Sequence, residues 1–393
     1  MEWFRQKFEL SRGDGHNERP MEGLRGFAVF LVFLVHFVTL VKPWISDNSN
    51  FLVFTDVLHT VGNTGVDLFF VLSGYLIFGS LYARRQKFID FMSRRVQRIY
   101  PAFSVVFVAY IFLSFLFHGE NKIPSHGIER IIYLIQNYLL FPGIFRIEPL
   151  ITVAWSLSYE MFYYLAIPLV IHLFRLRDRN AAWRTTFFLS VAFATAIYCA
   201  LNGGHIRLIM FISGILLYEA MNSRFIPSPP SSLGLLALLA GLGGMMIPWN
   251  GSAGFSFKVS ILFVAFFTLC LTCFRTPSAW LPRTFSWTPL RWLGNMSYSY
   301  YLLHGLALKA GFLFLSKILP PAPHDSWFFW VLLPPMFALT LIPTAALFLL
   351  VERPFSLKGS AARGPVLARR RPLFSARELT RDVIKPLEQE QRP

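Results

Sequence analysis

The residues of this chain whose types and spacing can do chemistry are two histidines, a few carboxylates and one dense group of arginines, all set against apolar sequence. His36 stands in the run Leu31-Val32-Phe33-Leu34-Val35-His36-Phe37-Val38-Thr39-Leu40, with Arg25 eleven residues before it. Eleven helical steps of 100° end about 20° past three full turns, so the two side chains share one face, about 16 Å apart along the axis. An imidazole titrates near neutral pH and serves as a general base or as a transient acyl carrier. Asp67 lies in Gly65-Val66-Asp67-Leu68-Phe69-Phe70-Val71-Leu72-Ser73-Gly74-Tyr75, and Glu160 follows Trp155-Ser156-Leu157-Ser158-Tyr159. Asp67 is expected near the depth of His36, where it would orient the ring and steady its charged form, as a triad carboxylate does. An equal alternative for Asp67 is a charge facing the positive end of a helix dipole. Glu160 sits one turn into an apolar run, a costly place unless it is paired or lines water. Ser73 beside Gly74 reads as a site of close helix contact more than as a nucleophile. His304, in Tyr298-Ser299-Tyr300-Tyr301-Leu302-Leu303-His304, is either a relay or a packing group.

The arginines gather in Arg84-Arg85-Gln86-Lys87 and in Ser93-Arg94-Arg95-Val96-Gln97-Arg98-Ile99-Tyr100-Pro101. Arg94 and Arg98 are four apart and Arg95 and Arg98 three apart, so they neighbour one another on a helix. Such a fork suits phosphates, and its density fits several phosphates on one small ligand better than a single lipid headgroup.

The elements that position these groups are set by composition. Of 393 residues, 54% are hydrophobic, 17% aromatic and only 15% charged, against roughly 25% charged in soluble chains. That balance excludes a soluble enzyme with one anchor, and it excludes intrinsic disorder. Apolar runs near 26–42, 65–82, 98–118, 154–174, 184–201, 205–222, 232–248, 257–274, 294–317 and 327–352 predict an all-α integral membrane protein, a bundle of about ten transmembrane helices. The shorter stretch Ile131 to Phe141 ends in Pro142-Gly143 and reads as an interfacial or re-entrant piece. With the amino terminus inside, most of the 37 Lys and Arg fall in the cytoplasmic segments, which predicts both termini in the cytoplasm. The net charge of +16 is therefore mainly topology, with no nucleic-acid partner and with anionic lipid or ligand secondary. The first apolar run reads as a retained signal-anchor. Cys199, Cys270 and Cys273 are too few and too apolar in setting for a disulfide framework or a metal site.

These segments together resemble the acyltransferase-3 family of multi-pass membrane acyltransferases. The resemblance rests on Glu22-Gly23-Leu24-Arg25-Gly26 with His36, the Gly65 to Tyr75 segment, Arg94 to Pro101, Trp155 to Glu160 with Phe162-Tyr163, and Ser297 to His304. It implies transfer of an acyl group, most often acetyl, from cytoplasmic acyl-coenzyme A to a hydroxyl of a surface carbohydrate or lipid-linked glycan at the inner cell membrane. It also implies roles: His36 with Asp67 or Glu160 for catalysis, and Arg25, Arg94, Arg95, Arg98 and Tyr100 for the donor. Ser73, Trp155, Ser156, Tyr301 and His304 would line the conduit, with no metal involved. The expected organisation is a cytoplasmic segment at 1–25, the acyltransferase-like membrane domain at 26–352 and a basic cytoplasmic tail at 353–393. Some family members carry an extracytoplasmic esterase-like domain; without it, transfer is either direct or through a separate acyl-accepting protein. Two other classes stay open on the residues alone: a transporter or flippase of a glycan intermediate, and a non-catalytic subunit of an envelope polysaccharide assembly.

Overall fold

A computed structural model of the chain describes residues 2–10, 18–46, 49–83, 86–117, 121–125 and 127–357. Arg84, Arg85 and most of the basic tail lie outside the described residues. In chain order the helices are α1 (Glu2–Phe8), α2 (Glu18–Val41), α3 (Ser49–Ala83), α4 (Phe88–Leu116), α5 (Gly127–Tyr138), α6 (Ala154–Leu173) and α7 (Ala181–Asn202). They continue with α8 (Ile209–Asn222), α9 (Ser231–Gly244), α10 (Gly251–Arg275), α11 (Trp280–Phe285), α12 (Thr288–Asn295), α13 (Ser297–Ile318) and α14 (Trp327–Leu347). A π-helical segment, Phe348–Leu357, extends α14. The described part is a helical bundle in which 7 helices are long and apolar enough to cross a membrane: α2, α3, α4, α7, α10, α13 and α14 with its extension. The protein is a multi-pass membrane protein, because only closed helices satisfy their own backbone groups in hydrocarbon.

The helices that carry the candidate residues pack backbone to backbone. A Cβ on Gly26 would lie 1.9 Å from the Leu290 carbonyl oxygen, and one on Gly294 would lie 1.7 Å from that of Glu22. Nothing larger than glycine fits between α2 and α12. Gly74 and Gly214 do the same for α3 and α8, with a Cβ on Gly74 reaching to 2.1 Å of the Phe211 carbonyl oxygen. Small residues at such contacts are how membrane helices approach without a hydrophobic driving force between them. Gly74 is thus the close contact expected of the Ser73-Gly74 pair. The π-helical segment packs on α4; its buried Phe348, Glu352 and Leu357 follow the wider winding of a π-helix and turn one carboxylate inward.

Of the ten spans expected, those at 154–174, 205–222 and 232–248 form α6, α8 and α9, which are not among the seven long apolar helices, and two further elements differ in where they start or break. The second apolar run was expected to start at Gly65, but α3 begins at Ser49 and spans 35 residues, about 52 Å. Asp56, His59, Asn63 and Thr64 dilute the hydropathy of its first half, although that half is still helical. Gly62 and Gly65 then seat it against α2, and their would-be Cβ atoms meet Leu31 and Val35, and Ala28 and Leu31, respectively. The run expected at 294–317 is broken at Met296 into α12 and α13. The expected interfacial stretch is α5, which exposes Ile128, Ile131, Ile132 and Ile135 and buries Tyr133 and Asn137. The chain leaves α5 through Leu140 at φ 60° and Gly143 at φ 96°.

Candidate active site

A cleft open to solvent lies at the Arg25 end of α2. Its charged and polar walls are Arg25 of α2, Ser73 of α3, Arg98 of α4, Ser156, Glu160 and Tyr164 of α6, and Tyr298 and Tyr301 of α13. Each helix contributes by its own period. Ser156, Glu160 and Tyr164 recur every four residues on α6, and Ser297 and Tyr301 do so on α13, so both helices turn a polar stripe to the same space. Arg98 pairs at 2.7 Å with Glu352, which is fully buried on the π-helical segment. Glu352 also accepts the backbone N–H of Ser299 at 3.1 Å and the Ser299 hydroxyl at 2.6 Å. The Arg98 guanidinium lies over the Tyr298 ring at 5.8 Å, and the Tyr298 hydroxyl donates to the Ile99 carbonyl at 2.7 Å. Tyr164 donates to Glu160 at 2.5 Å. One arginine is therefore locked in place by a buried carboxylate, while a second carboxylate faces the cleft from the opposite helix.

Farther along α2, His36 meets His304 edge to face, with ring centroids 4.9 Å apart and planes at 62°. His304 is fully buried, and its Nδ1 lies 2.9 Å and 3.0 Å from the carbonyl oxygens of Tyr300 and Tyr301. Tyr301 joins the two regions. It lines the cleft, its ring is 6.0 Å from that of His304, and its hydroxyl shares a 2.7 Å hydrogen bond with Ser156. The polar stripe of α13 thus runs from the cleft to the histidine pair.

The carboxylates expected beside His36 are elsewhere. Because α3 begins at Ser49, its register against α2 puts His59, and not Asp67, at the depth of His36. Asp67 is fully buried nearer the Arg25 end and pairs at 3.4 Å with Arg207, which also donates to the Asn63 carbonyl at 3.2 Å and lies over Trp155 at 5.9 Å. Trp155 packs edge-on against Phe70 and Tyr159 behind the cleft wall. Glu160 shares the cleft with Arg25, about 16 Å down α2 from His36.

The arginine group also divides. Arg98 enters the cleft. Arg95 donates to the Ser80 hydroxyl at 3.0 Å and lies 5.0 Å over Phe91 and 5.2 Å over the cleft residue Tyr164. Arg94 turns to the Gln86 side chain. Tyr100 donates to the Tyr138 carbonyl at 3.3 Å and ties α4 to α5, outside the cleft. Sequence reasoning missed Glu352, Tyr164, Tyr298, Arg207 and His59. The signal for Glu352 was present in Phe348-Leu349-Leu350-Val351-Glu352, a lone carboxylate closing an apolar run. Among the described residues no group of three or more His, Cys, Asp or Glu is arranged to hold a metal ion.

The arrangement can grip an anionic group at one end of the bundle and accept a proton from a bound hydroxyl at the other. Comparison with known proteins bears on this geometry. Residues 20–349 match the profile of a family described as an acyltransferase domain. A peptidoglycan O-acetyltransferase, OatA, of Listeria monocytogenes is 26% identical over 319 residues, covering 72% of this chain and 48% of the relative. The O-acetyltransferase OatA of Staphylococcus aureus is 29% identical over 333 residues, covering 72% and 49%. A putative peptidoglycan O-acetyltransferase, YrhL, of Bacillus subtilis is 26% identical over 318 residues, covering 72% and 47%. The chain spans about half the length of the curated relatives it matches. No solved structure matches it.

Proposed function

The chain belongs to the acyltransferase-3 family, and from that premise we propose that it moves an acetyl group from acetyl-coenzyme A to a hydroxyl of a cell-surface carbohydrate, with peptidoglycan the first acceptor to test. The observation that carries this reading is Tyr301, which lines the Arg25/Arg98 cleft and whose ring adjoins that of His304 in the His36–His304 pair. The bundle then crosses the membrane ten times, adding α6, α8 and α9 to the seven longer spans, with both ends and the arginine cleft in the cytoplasm.

Arg25 and Arg98 hold the donor's phosphates, and Arg95, stacked beside Tyr164, adds charge at the wall. Arg94 and Tyr100, turned to Gln86 and Tyr138, stay at the rim. Glu160 and Glu352 balance the guanidinium charge in the cleft before the donor enters. The pantetheine arm passes Ser73, Ser156 and Tyr301 and brings the thioester toward His36. His36 takes the proton of the acceptor hydroxyl as its oxygen bonds to the acyl carbonyl carbon. The carbon–sulfur bond breaks, and the proton passes from His36 to the leaving thiolate.

The test is transfer of radiolabelled acetyl from acetyl-coenzyme A to peptidoglycan fragments by the purified protein in nanodiscs. Label appearing as an alkali-labile ester on the glycan supports the reading. Donor that neither binds nor turns over with any glycan overturns it.

A further inference from the structure

His304 has a feature that the proposed roles leave unused. Its Nδ1 faces two carbonyl oxygens, Tyr300 at 2.9 Å and Tyr301 at 3.0 Å, and a carbonyl can only accept. The proton of a neutral His304 therefore sits on Nδ1, and its Nε2 carries a lone pair. That Nε2 is buried and has no hydrogen-bond partner among the described residues, an arrangement that costs free energy unless a donor arrives. The nearby hydroxyls are engaged elsewhere. Tyr300 shares its hydrogen bond with Thr340 at 2.8 Å, and Tyr301 with Ser156 at 2.7 Å and the Val153 carbonyl at 3.1 Å. The other nitrogen-bearing ring in contact is His36, 4.9 Å away between centroids. The two carboxylates expected beside His36 are engaged elsewhere, Asp67 with Arg207 and Glu160 with Tyr164.

We propose that His304 is the positioning residue of the reaction, its Nε2 accepting the ring N–H of His36 and so fixing which His36 nitrogen faces the acceptor hydroxyl. This rests on the reading of His36 as the base. The two backbone carbonyls fix the tautomer of His304, His304 fixes the tautomer of His36, and the bare nitrogen of His36 is left pointing at substrate. A neutral acceptor replaces the carboxylate of a triad. Hydrogen bonds of this kind are often open without substrate and close in the working complex; with His304 held by its two carbonyls, closure here falls to the His36 ring. His304 keeps its own proton throughout, and the substrate proton travels only between the acceptor, His36 and the thiolate.

The experiment combines kinetics and spectroscopy on the full chain in nanodiscs. His304→Leu removes the acceptor atom at similar volume, and His304→Gln restores one. The expected result for His304→Leu is a kcat lowered about a hundredfold, the lower end of general-base effects, with acetyl-coenzyme A affinity unchanged. His304→Gln should recover to within about tenfold of the parent, and His304→Leu should add no loss in a His36→Ala background. Equal inactivity of both His304 variants, lost donor affinity, or additive losses would overturn the proposal. Nitrogen-15 spectra of histidine-labelled protein decide it without turnover. His304 should be protonated on Nδ1, and its Nε2 resonance should move when His36 is replaced by Ala in the donor-bound protein. An Nε2-protonated His304, or an unmoved resonance, contradicts the inference. A parent protein that shows no acetyl transfer would count against the proposed function alone.

Discussion

The Arg25 end and the His36 end of α2 differ in almost every physical respect. At the first, two arginines, one carboxylate and several hydroxyls share an open cleft, and Arg98 is held by a second, buried carboxylate. At the second, two imidazoles meet among aromatic rings. A charged ligand is held well where fixed guanidinium groups and water coexist. A base works best when neutral, dry and oriented. Putting the two on one helix face, about 16 Å apart, lets binding and proton transfer be tuned separately, provided the substrate is long enough to reach both.

That separation predicts how variants divide. The largest effect is expected for His36→Ala, a loss in kcat of about 10²–10⁴-fold with little change in KM for the donor; steady-state kinetics with acetyl-coenzyme A checks it, and a pure KM effect would erase the distinction between the ends. Next is Glu352→Ala, which strands Arg98 and two donors of Ser299 and should cost about 3–5 kcal/mol of stability, read as a fall in Tm of the detergent-solubilised protein. Arg98→Ala should raise the KM for the donor about tenfold while kcat stays within about threefold, as expected for loss of a charge-assisted contact. Raising the salt concentration should weaken donor binding to the parent protein more than to this variant. The smallest effect on catalysis is expected for Asp67→Asn. It keeps the shape beside Arg207 and should lower Tm while leaving kcat within about threefold, because Asp67 stands away from His36. A hundredfold drop in kcat for Asp67→Asn would restore it to the chemistry and break the comparison.

The all-helical character of the chain and the single helix that carries both Arg25 and His36 were legible in the sequence, because helical period and hydropathy are local properties. The polar first half of α3 was not. Its Asp56, His59 and Asn63 read as loop, and that misplaced start carried Asp67 to the wrong depth. Nor could spacing tell the arginines apart. Arg94, Arg95 and Arg98 share a helix, but which neighbour each one meets depends on Gln86, Ser80 and Glu352, residues brought in by other parts of the chain. The same holds for His304, whose partner His36 lies on another helix and whose tautomer is set by carbonyls of its own.

The central claim is that one donor molecule joins the two ends, and a determined structure with a non-hydrolysable acetyl-coenzyme A analogue tests it most directly. The account predicts phosphates at Arg25 and Arg98, the pantetheine arm passing Tyr301, and the acetyl carbonyl within one acceptor hydroxyl of His36. An analogue whose acetyl group ends in the cleft beside Glu160, with no path past Tyr301, would contradict it.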